Sequence, residues 1–97
     1  MRTEDEEKIL MQALSTYGVA AQEMMLFEEC GELINAVAKT HRNRASDADV
    51  ITELADVSII IDQMAMYYGK EAFLREKERK LVRLNKRLNL NDGQQIP

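Results

Sequence analysis

Two pairs of carboxylates stand at the same spacing in two separate segments of this chain. Glu29 and Glu32 are three residues apart, and Glu53 and Asp56 repeat that spacing further along. In a helix, residues three apart lie on the same face, one above the other. If both segments are helices that face each other, four carboxylates surround one point. Such a set of oxygen ligands suits a hard divalent cation.

Electrostatics strengthens this interpretation because unshielded carboxylates repel one another. Two of them about 5 Å apart repel by about 3 kcal/mol at an effective dielectric of about 20. Glu53 and Asp56 also interrupt an otherwise apolar segment, where we expect them to have little access to water. A divalent cation lets all four groups stay ionised at neutral pH. The alternative is that Glu28, Glu29 and Glu32 simply face solvent.

Other metal-ligand types are scarce in the chain. The one histidine, His41, lies in the polar stretch 41–48, which we expect to be a loop. The one cysteine, Cys30, lies in an apparently helical stretch, where a buried thiol is expected rather than a nucleophile. Di-iron helix bundles use Glu-x-x-His pairs, and zinc sites prefer His or Cys. Carboxylates alone therefore predict Mg²⁺ as the cofactor, with Mn²⁺ possible.

Four helices are expected to position these carboxylates. Apolar residues recur at three- and four-residue spacing, which is typical of amphipathic helices. The predicted helices cover residues 4–16, 19–40, 48–68 and 71–90. No segment alternates apolar and polar residues as a half-buried strand does. The predicted fold class is therefore all-α, an antiparallel four-helix arrangement.

The ends of these helices carry recognisable signals. We expect Thr3 to cap the first helix, with the acidic residues that follow it favouring the positive end of the helix dipole. Either Ser46 or Asp47 is placed to cap the third helix, and Gly69 is suited to end it. Gly31, in the second helix, is expected to permit a close approach between helices.

The length predicts one domain, residues 1–90, followed by a polar tail at 91–97. A chain of 97 residues buries a modest fraction of its surface, so a helical protein of this size often completes its core by self-association. The fourth helix carries an apolar stripe suited to packing along another helix, made of Leu74, Leu81, Leu84 and Leu88. We therefore expect a homo-oligomer.

Charge is distributed unevenly along the chain, whose net charge is −4. Residues 1–69 contain 5 basic and 13 acidic side chains, for a net −8, whereas residues 70–88 contain 8 basic and 3 acidic ones, for a net +5. An acidic protein is a poor general nucleic-acid binder, because that binding depends on neutralising phosphates. A small anionic ligand held between an acidic, metal-loaded region and a basic helix fits better.

Neither a signal peptide nor a membrane span is expected. Charged residues fall within the first eight positions, and no apolar run is long enough to cross a bilayer. The prediction is a cytoplasmic protein with no membrane partner.

The acidic pattern E-E-x-x-E followed by E-x-x-D stands here as Glu28-Glu29-x-x-Glu32 and Glu53-x-x-Asp56. It resembles the signature of the MazG-type all-α nucleoside triphosphate pyrophosphohydrolases, and the resemblance covers most of the chain. Further residues similar to small bacterial and phage MazG-like proteins are Tyr17, Gly18, Gln22, Leu33, Ile34, Asn35, Ala36, Lys39 and Arg42, with Lys80, Leu81, Arg83 and Leu84 near the end.

The resemblance implies hydrolysis of a ribo- or deoxyribonucleoside triphosphate between its α- and β-phosphates, giving the monophosphate and pyrophosphate. The implied magnesium ligands are Glu29, Glu32, Glu53 and Asp56. Glu28 is implied to assist the site or to orient water. Family members work as dimers or tetramers whose sites are completed across subunits. The favoured mechanism is attack on the α-phosphorus by water that the metal activates.

Basic side chains are candidates to hold the distal phosphates of such a substrate. They are Lys39, Arg42 and Arg44 near the loop and Lys77, Lys80 and Arg83 on the fourth helix. For each of them the alternative is a solvated surface charge.

Two other functions compete with this interpretation. A phosphoribosyl-ATP pyrophosphohydrolase shares the acidic motif and the bond cleaved. A non-catalytic helical interaction module, binding a partner through its leucine stripe, belongs to a different class. Retention of all four carboxylates disfavours the interaction module.

Overall fold

The computed structural model describes residues 1–88. Its helices are α1 (Thr3–Tyr17), α2 (Val19–Thr40), α3 (Asp47–Tyr68) and α4 (Lys70–Leu88). No strand occurs within residues 1–88, so the all-α prediction is confirmed for that part of the chain. The predicted end of the fourth helix at Leu90 and the polar tail 91–97 lie outside the described residues.

The first helix begins one residue earlier than the sequence predicted. Thr3 is already helical, and Arg2 holds the cap position without a side-chain cap from any described residue. The prediction that Thr3 caps α1 was therefore wrong. The carbonyl of Arg2 instead accepts the N–H groups of Asp5 and Glu6, each at 3.1 Å. Acidic side chains in this first turn also favour the positive end of the helix dipole.

A reciprocal capping box begins α3. The backbone N–H and the hydroxyl of Ser46 both donate to Oδ2 of Asp49, at 2.8 and 3.1 Å. The N–H of Asp49 donates back to the Ser46 hydroxyl at 3.4 Å. Of the two predicted caps, Ser46 is the one that acts, and Asp47 is the first helical residue. The hydrogen bonds from the Ser46 backbone and side chain lower the pKa of Asp49.

Single glycines separate the helices on either side of the α2–α3 region. Gly18 stands between α1 and α2 with φ 86°, and Gly69 stands between α3 and α4 with φ 130°. These backbone conformations are open to glycine and strained for most other residues. The turn between α2 and α3 uses a left-handed Asn43 instead, with φ 56°.

The chain divides into two units, the first spanning Met1–Met66 and the second beginning at Tyr67. Whether residues 1–90 behave as one domain stays a prediction. In the first unit the buried apolar side chains come from all three helices, and α3 contributes the most. They are Leu14, Ala36, Val57, Ile60 and Met64.

A buried amide also ties α3 to α1. Gln63 is only 2% exposed, and its Nε2 donates to the Leu10 carbonyl at 3.2 Å. Because this bond joins a side chain to a helix backbone, it fixes the position of the two helices along each other.

Much apolar surface of the first unit stays uncovered within the described chain. On α2, Phe27 and Ile34 are 66% and 70% exposed, and on α3, Ile51, Leu54 and Ile59 are also exposed. A side chain added at Gly31 would meet no described atom within 4 Å. The expectation of a close helix approach at Gly31 was therefore wrong for the single chain.

In the second unit, α4 is amphipathic but buries no residue of Lys70–Leu88. All four leucines of the predicted stripe are exposed. The rings of Tyr67 and Tyr68 meet edge to face with centroids 4.9 Å apart. None of the described helices combines the length and the apolar character needed to cross a membrane.

Candidate metal centre

The facing sides of α2 and α3 bring three of the predicted carboxylates together. Glu29 on α2 and Glu53 and Asp56 on α3 each offer a carboxylate oxygen, and these oxygens all lie within 4.8 Å of one another. We call these three residues the acidic trio. Two local causes produce it, because Glu53 and Asp56 share a helix face by their spacing and the short turn returns α3 against α2.

Glu32, the fourth predicted ligand, adjoins the acidic trio without completing it. Its charge lies close enough to repel both Glu29 and Glu53. Glu32 is itself exposed. All four carboxylates that the sequence grouped therefore lie in one region, and Glu32 and Asp56 are its exposed members.

Two oxygens of the acidic trio are enclosed without a partner. Oε2 of Glu29 and Oε2 of Glu53 are inaccessible to solvent and accept no hydrogen bond from any described residue. Loss of hydration, followed by repulsion from Glu32, raises the pKa of both groups. Enclosed carboxylate oxygens without donors are costly unless a proton or a cation satisfies them. The donor set, oxygen alone, fits Mg²⁺ or Mn²⁺.

The acidic trio is more accessible than the sequence predicted. Glu53 is half-buried, as is Glu29, but Asp56 is exposed. The expectation that Asp56 has little access to water was wrong, since the neighbouring elements leave that part of α3 uncovered. Glu28, predicted to assist the site, is exposed and is not one of the trio.

A polar cleft of about 360 Å³ adjoins the trio between α2, the turn and α3. Its lining residues are Glu32, Asn35, Ala36, Lys39, Arg44, Ala45, Asp49, Thr52 and Glu53. Lys39 lies seven residues after Glu32, which is roughly 10 Å along a helix. The cleft, which we call the α2/α3 cleft, carries Glu32 and Glu53 at one end and Lys39 and Arg44 at the other, where the carboxylate of Asp49 also interacts with Lys39.

The turn decides which arginine joins this cleft. Arg44 lines the cleft, and its backbone N–H donates to the Lys39 carbonyl at 2.9 Å. Arg42 is exposed and is not a lining residue. The left-handed conformation of Asn43 lies between the two arginines and redirects the chain. A role for Arg42 in phosphate binding stays a prediction.

The basic residues predicted on α4 belong to the second unit and have partners within their own helix. Lys77 places Nζ 6.0 Å from the centre of the Phe73 ring. Lys80 Nζ lies 3.9 Å from Oε1 of Glu76, which also binds Arg79. The pKa of Glu76 is lowered, first by the Arg79 hydrogen bond. Arg83 is exposed, and phosphate binding by Lys77, Lys80 or Arg83 stays a prediction.

Three polar lining residues were not identified from the sequence. Asn35 follows Glu32 by three residues, and Asp49 and Thr52 precede Glu53 by four and one. Asn35 and Asp49 could have been found by helical spacing, because each lies one turn from a predicted ligand, Glu32 or Glu53, and so shares its helix face. That spacing identifies candidates only once the two helices are known to face each other.

The two residues considered for other chemistry have ordinary surroundings. His41 is exposed at the end of α2, and Cys30 is a half-buried free thiol. Neither belongs to the acidic trio or lines the α2/α3 cleft.

Comparisons with protein-family models, with curated proteins and with solved structures found no match to this chain.

Proposed function

We propose that this protein is a magnesium-dependent nucleotide pyrophosphohydrolase that converts a nucleoside triphosphate, ribo or deoxy, to its monophosphate and pyrophosphate. The observation that supports it most is the pair of enclosed, unpartnered oxygens on Glu29 and Glu53 beside a cleft lined with cations. The cleavage position and the MazG-like identity rest on the sequence resemblance.

Each group of residues has a distinct task in this proposal. Glu29, Glu53 and Asp56 hold the cation, and Glu32 takes part from the solvent side. A bound magnesium ion supplies Lewis-acid polarisation and lowers the pKa of water. Lys39 and Arg44 bind phosphate oxygens at the other end of the α2/α3 cleft, where their positive charge offsets the charge of the polyphosphate.

Glu32 and Glu53 at one end of this cleft and Lys39 and Arg44 at the other suit a metal-bound polyphosphate, although Asp49 reduces the positive charge near Lys39. An anion alone is repelled by the carboxylates, and a cation alone leaves Lys39 and Arg44 unused. A phosphate chain that carries a divalent cation satisfies both ends, because metal ions commonly bridge protein carboxylates to substrate phosphates. Assembly into a dimer or tetramer and a cytoplasmic location complete the proposal.

An interaction module is the second candidate, and the exposed apolar side chains of α2 favour it. Phe27 and Ile34 present a surface of the kind that binds partner proteins. This candidate needs neither the cation nor the cleft. Phosphoribosyl-ATP remains an alternative substrate within the enzymatic proposal.

Product analysis tests the proposal. The protein is incubated with a panel of nucleoside triphosphates and phosphoribosyl-ATP in Mg²⁺, and the products are identified by ³¹P NMR. Pyrophosphate and a monophosphate are expected. Glu53→Gln should lower the turnover number by orders of magnitude, whereas the matched control Glu78→Gln on α4 should not. Orthophosphate with a diphosphate as first products would assign the protein to another reaction class, and no turnover with any of them would favour the interaction module.

A further inference from the structure

An apolar groove of about 440 Å³ runs between α1 and α3 in the first unit. Its lining residues are Met1, Glu6, Ile9, Leu10, Ala55, Ser58, Ile59 and Asp62. Ile9 and Ile59 are 53% and 57% exposed, so two large apolar side chains face this groove without cover from the described chain. The α1/α3 groove is separate from the α2/α3 cleft and shares no lining residue with it.

The charged residues of the groove are both acidic. Glu6 on α1 and Asp62 on α3 belong to its lining. Residues 1–69 carry a net charge of −8. An apolar groove with acidic margins fits a helix that has an apolar stripe beside basic residues.

The helix α4 of this chain has that character. Leu81, Leu84 and Leu88 form an exposed stripe, since no residue of Lys70–Leu88 is buried. At helical spacing, Lys80, Arg83 and Arg87 fall along one side of that stripe. Together with Phe73, Lys77 and the acidic Glu76, all of these side chains except Leu88 line one face of α4. This face therefore carries four basic residues and one acidic residue.

We propose that the α1/α3 groove of one chain binds the leucine stripe of α4 from a second copy of this chain, with Glu6 and Asp62 facing its basic residues. In the proposed arrangement each copy supplies one groove and one helix, and a two-fold axis relates the two contacts. The proposal is independent of nucleotide hydrolysis.

Charge reversal tests this proposal in a way that separates it from its rivals. In the groove variant, Glu6→Lys and Asp62→Lys make the groove of each copy cationic, so that it faces a cationic helix. In the helix variant, Lys80→Glu and Arg83→Glu make the α4 stripe of each copy more anionic, so that it faces an anionic groove. Each variant alone should dissociate at least tenfold more readily than the original chain. Mixed in equal amounts, the two variants should form a heterodimer, because each groove then faces a helix of opposite charge.

Sedimentation velocity and native mass spectrometry measure the association, and circular dichroism verifies that each variant keeps its helical content. The matched controls are Glu4→Lys and Lys86→Glu, which reverse charges away from the groove and the stripe and should leave association unchanged. If charge reversal unfolds either variant, the neutral versions, Glu6→Gln with Asp62→Asn and Lys80→Gln with Arg83→Gln, should still weaken association.

Three results overturn the proposal. A monomeric original chain at all accessible concentrations means that the groove is filled by α4 of the same chain or by a different protein. If the two charge variants are folded but stay monomeric when mixed, the reciprocal contact between groove and helix is excluded. Variants that associate as strongly as the original chain locate the contact elsewhere, such as the exposed surface of α2.

Discussion

Glu29 on α2 and Glu53 on α3 face each other with one oxygen apiece enclosed and unbonded by any described residue. Lost hydration, followed by repulsion within the cluster, disfavours their charged forms, so the pKa of each is raised. The free protein therefore keeps a destabilising feature at the place where a cation would bind. This relationship links stability to metal binding and gives the first two predictions.

Glu53→Gln should raise the melting temperature of the protein in EDTA, because the amide keeps the shape of the side chain and removes its charge. The same substitution should abolish the rise in melting temperature that Mg²⁺ or Mn²⁺ produces in the original chain by binding the folded state. Differential scanning calorimetry measures both effects. Glu78→Gln on exposed α4 is the control and should change neither. Unfolding of Glu53→Gln without metal would instead make this carboxylate structural.

Stability in EDTA should increase as the pH is lowered from neutral. A carboxyl whose folded-state pKa is raised stabilises the fold fully below its ordinary value of 4.5, and that contribution is lost as the pH rises through the raised pKa. Asp49 has a lowered pKa and acts oppositely, losing its contribution only as the pH falls below its ordinary 3.8. Magnesium should reverse the trend, because protons compete for the ligands.

Thermal melts between pH 4.5 and 7.5, with EDTA or with Mg²⁺, measure this dependence. The double variant Glu29→Gln with Glu53→Gln isolates it from the general effect of net charge and should show a much flatter profile in EDTA. An identical profile in the original and double-variant proteins would contradict the assignment.

Lys39→Ala and Arg44→Ala should each raise the Michaelis constant about tenfold, equivalent to about 1.4 kcal/mol, if they hold phosphates equally in the ground and transition states. Arg42 belongs to the same turn but does not line the cleft, so Arg42→Ala is the matched comparison and should have a smaller effect. Steady-state pyrophosphate release gives the constants. A larger loss from Arg42→Ala than from Arg44→Ala would reverse the assignment.

Ser46→Ala should lower the free energy of unfolding by about 1 kcal/mol, because it removes the hydroxyl of the capping box that begins α3. Asp47→Ala tests the neighbouring candidate and should have a smaller effect, since Asp47 is already helical. Urea denaturation followed by circular dichroism compares them. Equal losses would mean that the dipole interaction of Asp47 matters as much as the cap.

Gly31→Ala should stabilise the protein by about 0.5–1 kcal/mol, since alanine favours a helix and no described atom lies within 4 Å of the added carbon. The same denaturation experiment measures the gain at low protein concentration. A loss of stability that grows with protein concentration would show that a second chain lies against this part of α2.

Local sequence patterns were enough to predict the helices and the acidic cluster. The bounds of α2 match residues 19–40, and Glu29, Glu53 and Asp56 meet because their spacing sets their helix faces. Four-helix packing and the MazG-like identity stay predictions. Local rules failed where several solutions compete, as at Thr3, where the Arg2 carbonyl and acidic first-turn side chains begin the helix without a side-chain cap.

Exposure could not be predicted, because it depends on which neighbouring elements cover each helix face. Asp56 and Gly31 were both assigned to covered positions and are both open in the described chain. Arg44 rather than Arg42 lines the α2/α3 cleft after a turn with a left-handed Asn43, and helical periodicity does not predict the path of such a turn.

Glu32 and Lys39 both line the α2/α3 cleft because they are seven residues apart, which makes about two helical turns. One residue inserted between Glu32 and Lys39 would rotate the lysine by about 100° and remove it from the shared face. Seven inserted residues would restore the face and move the lysine roughly 10 Å further away. Insertions in α2 can therefore lengthen the cleft only in steps if both residues are to stay in its lining, so any ligand that bridged them in such variants would have to change length in steps as well.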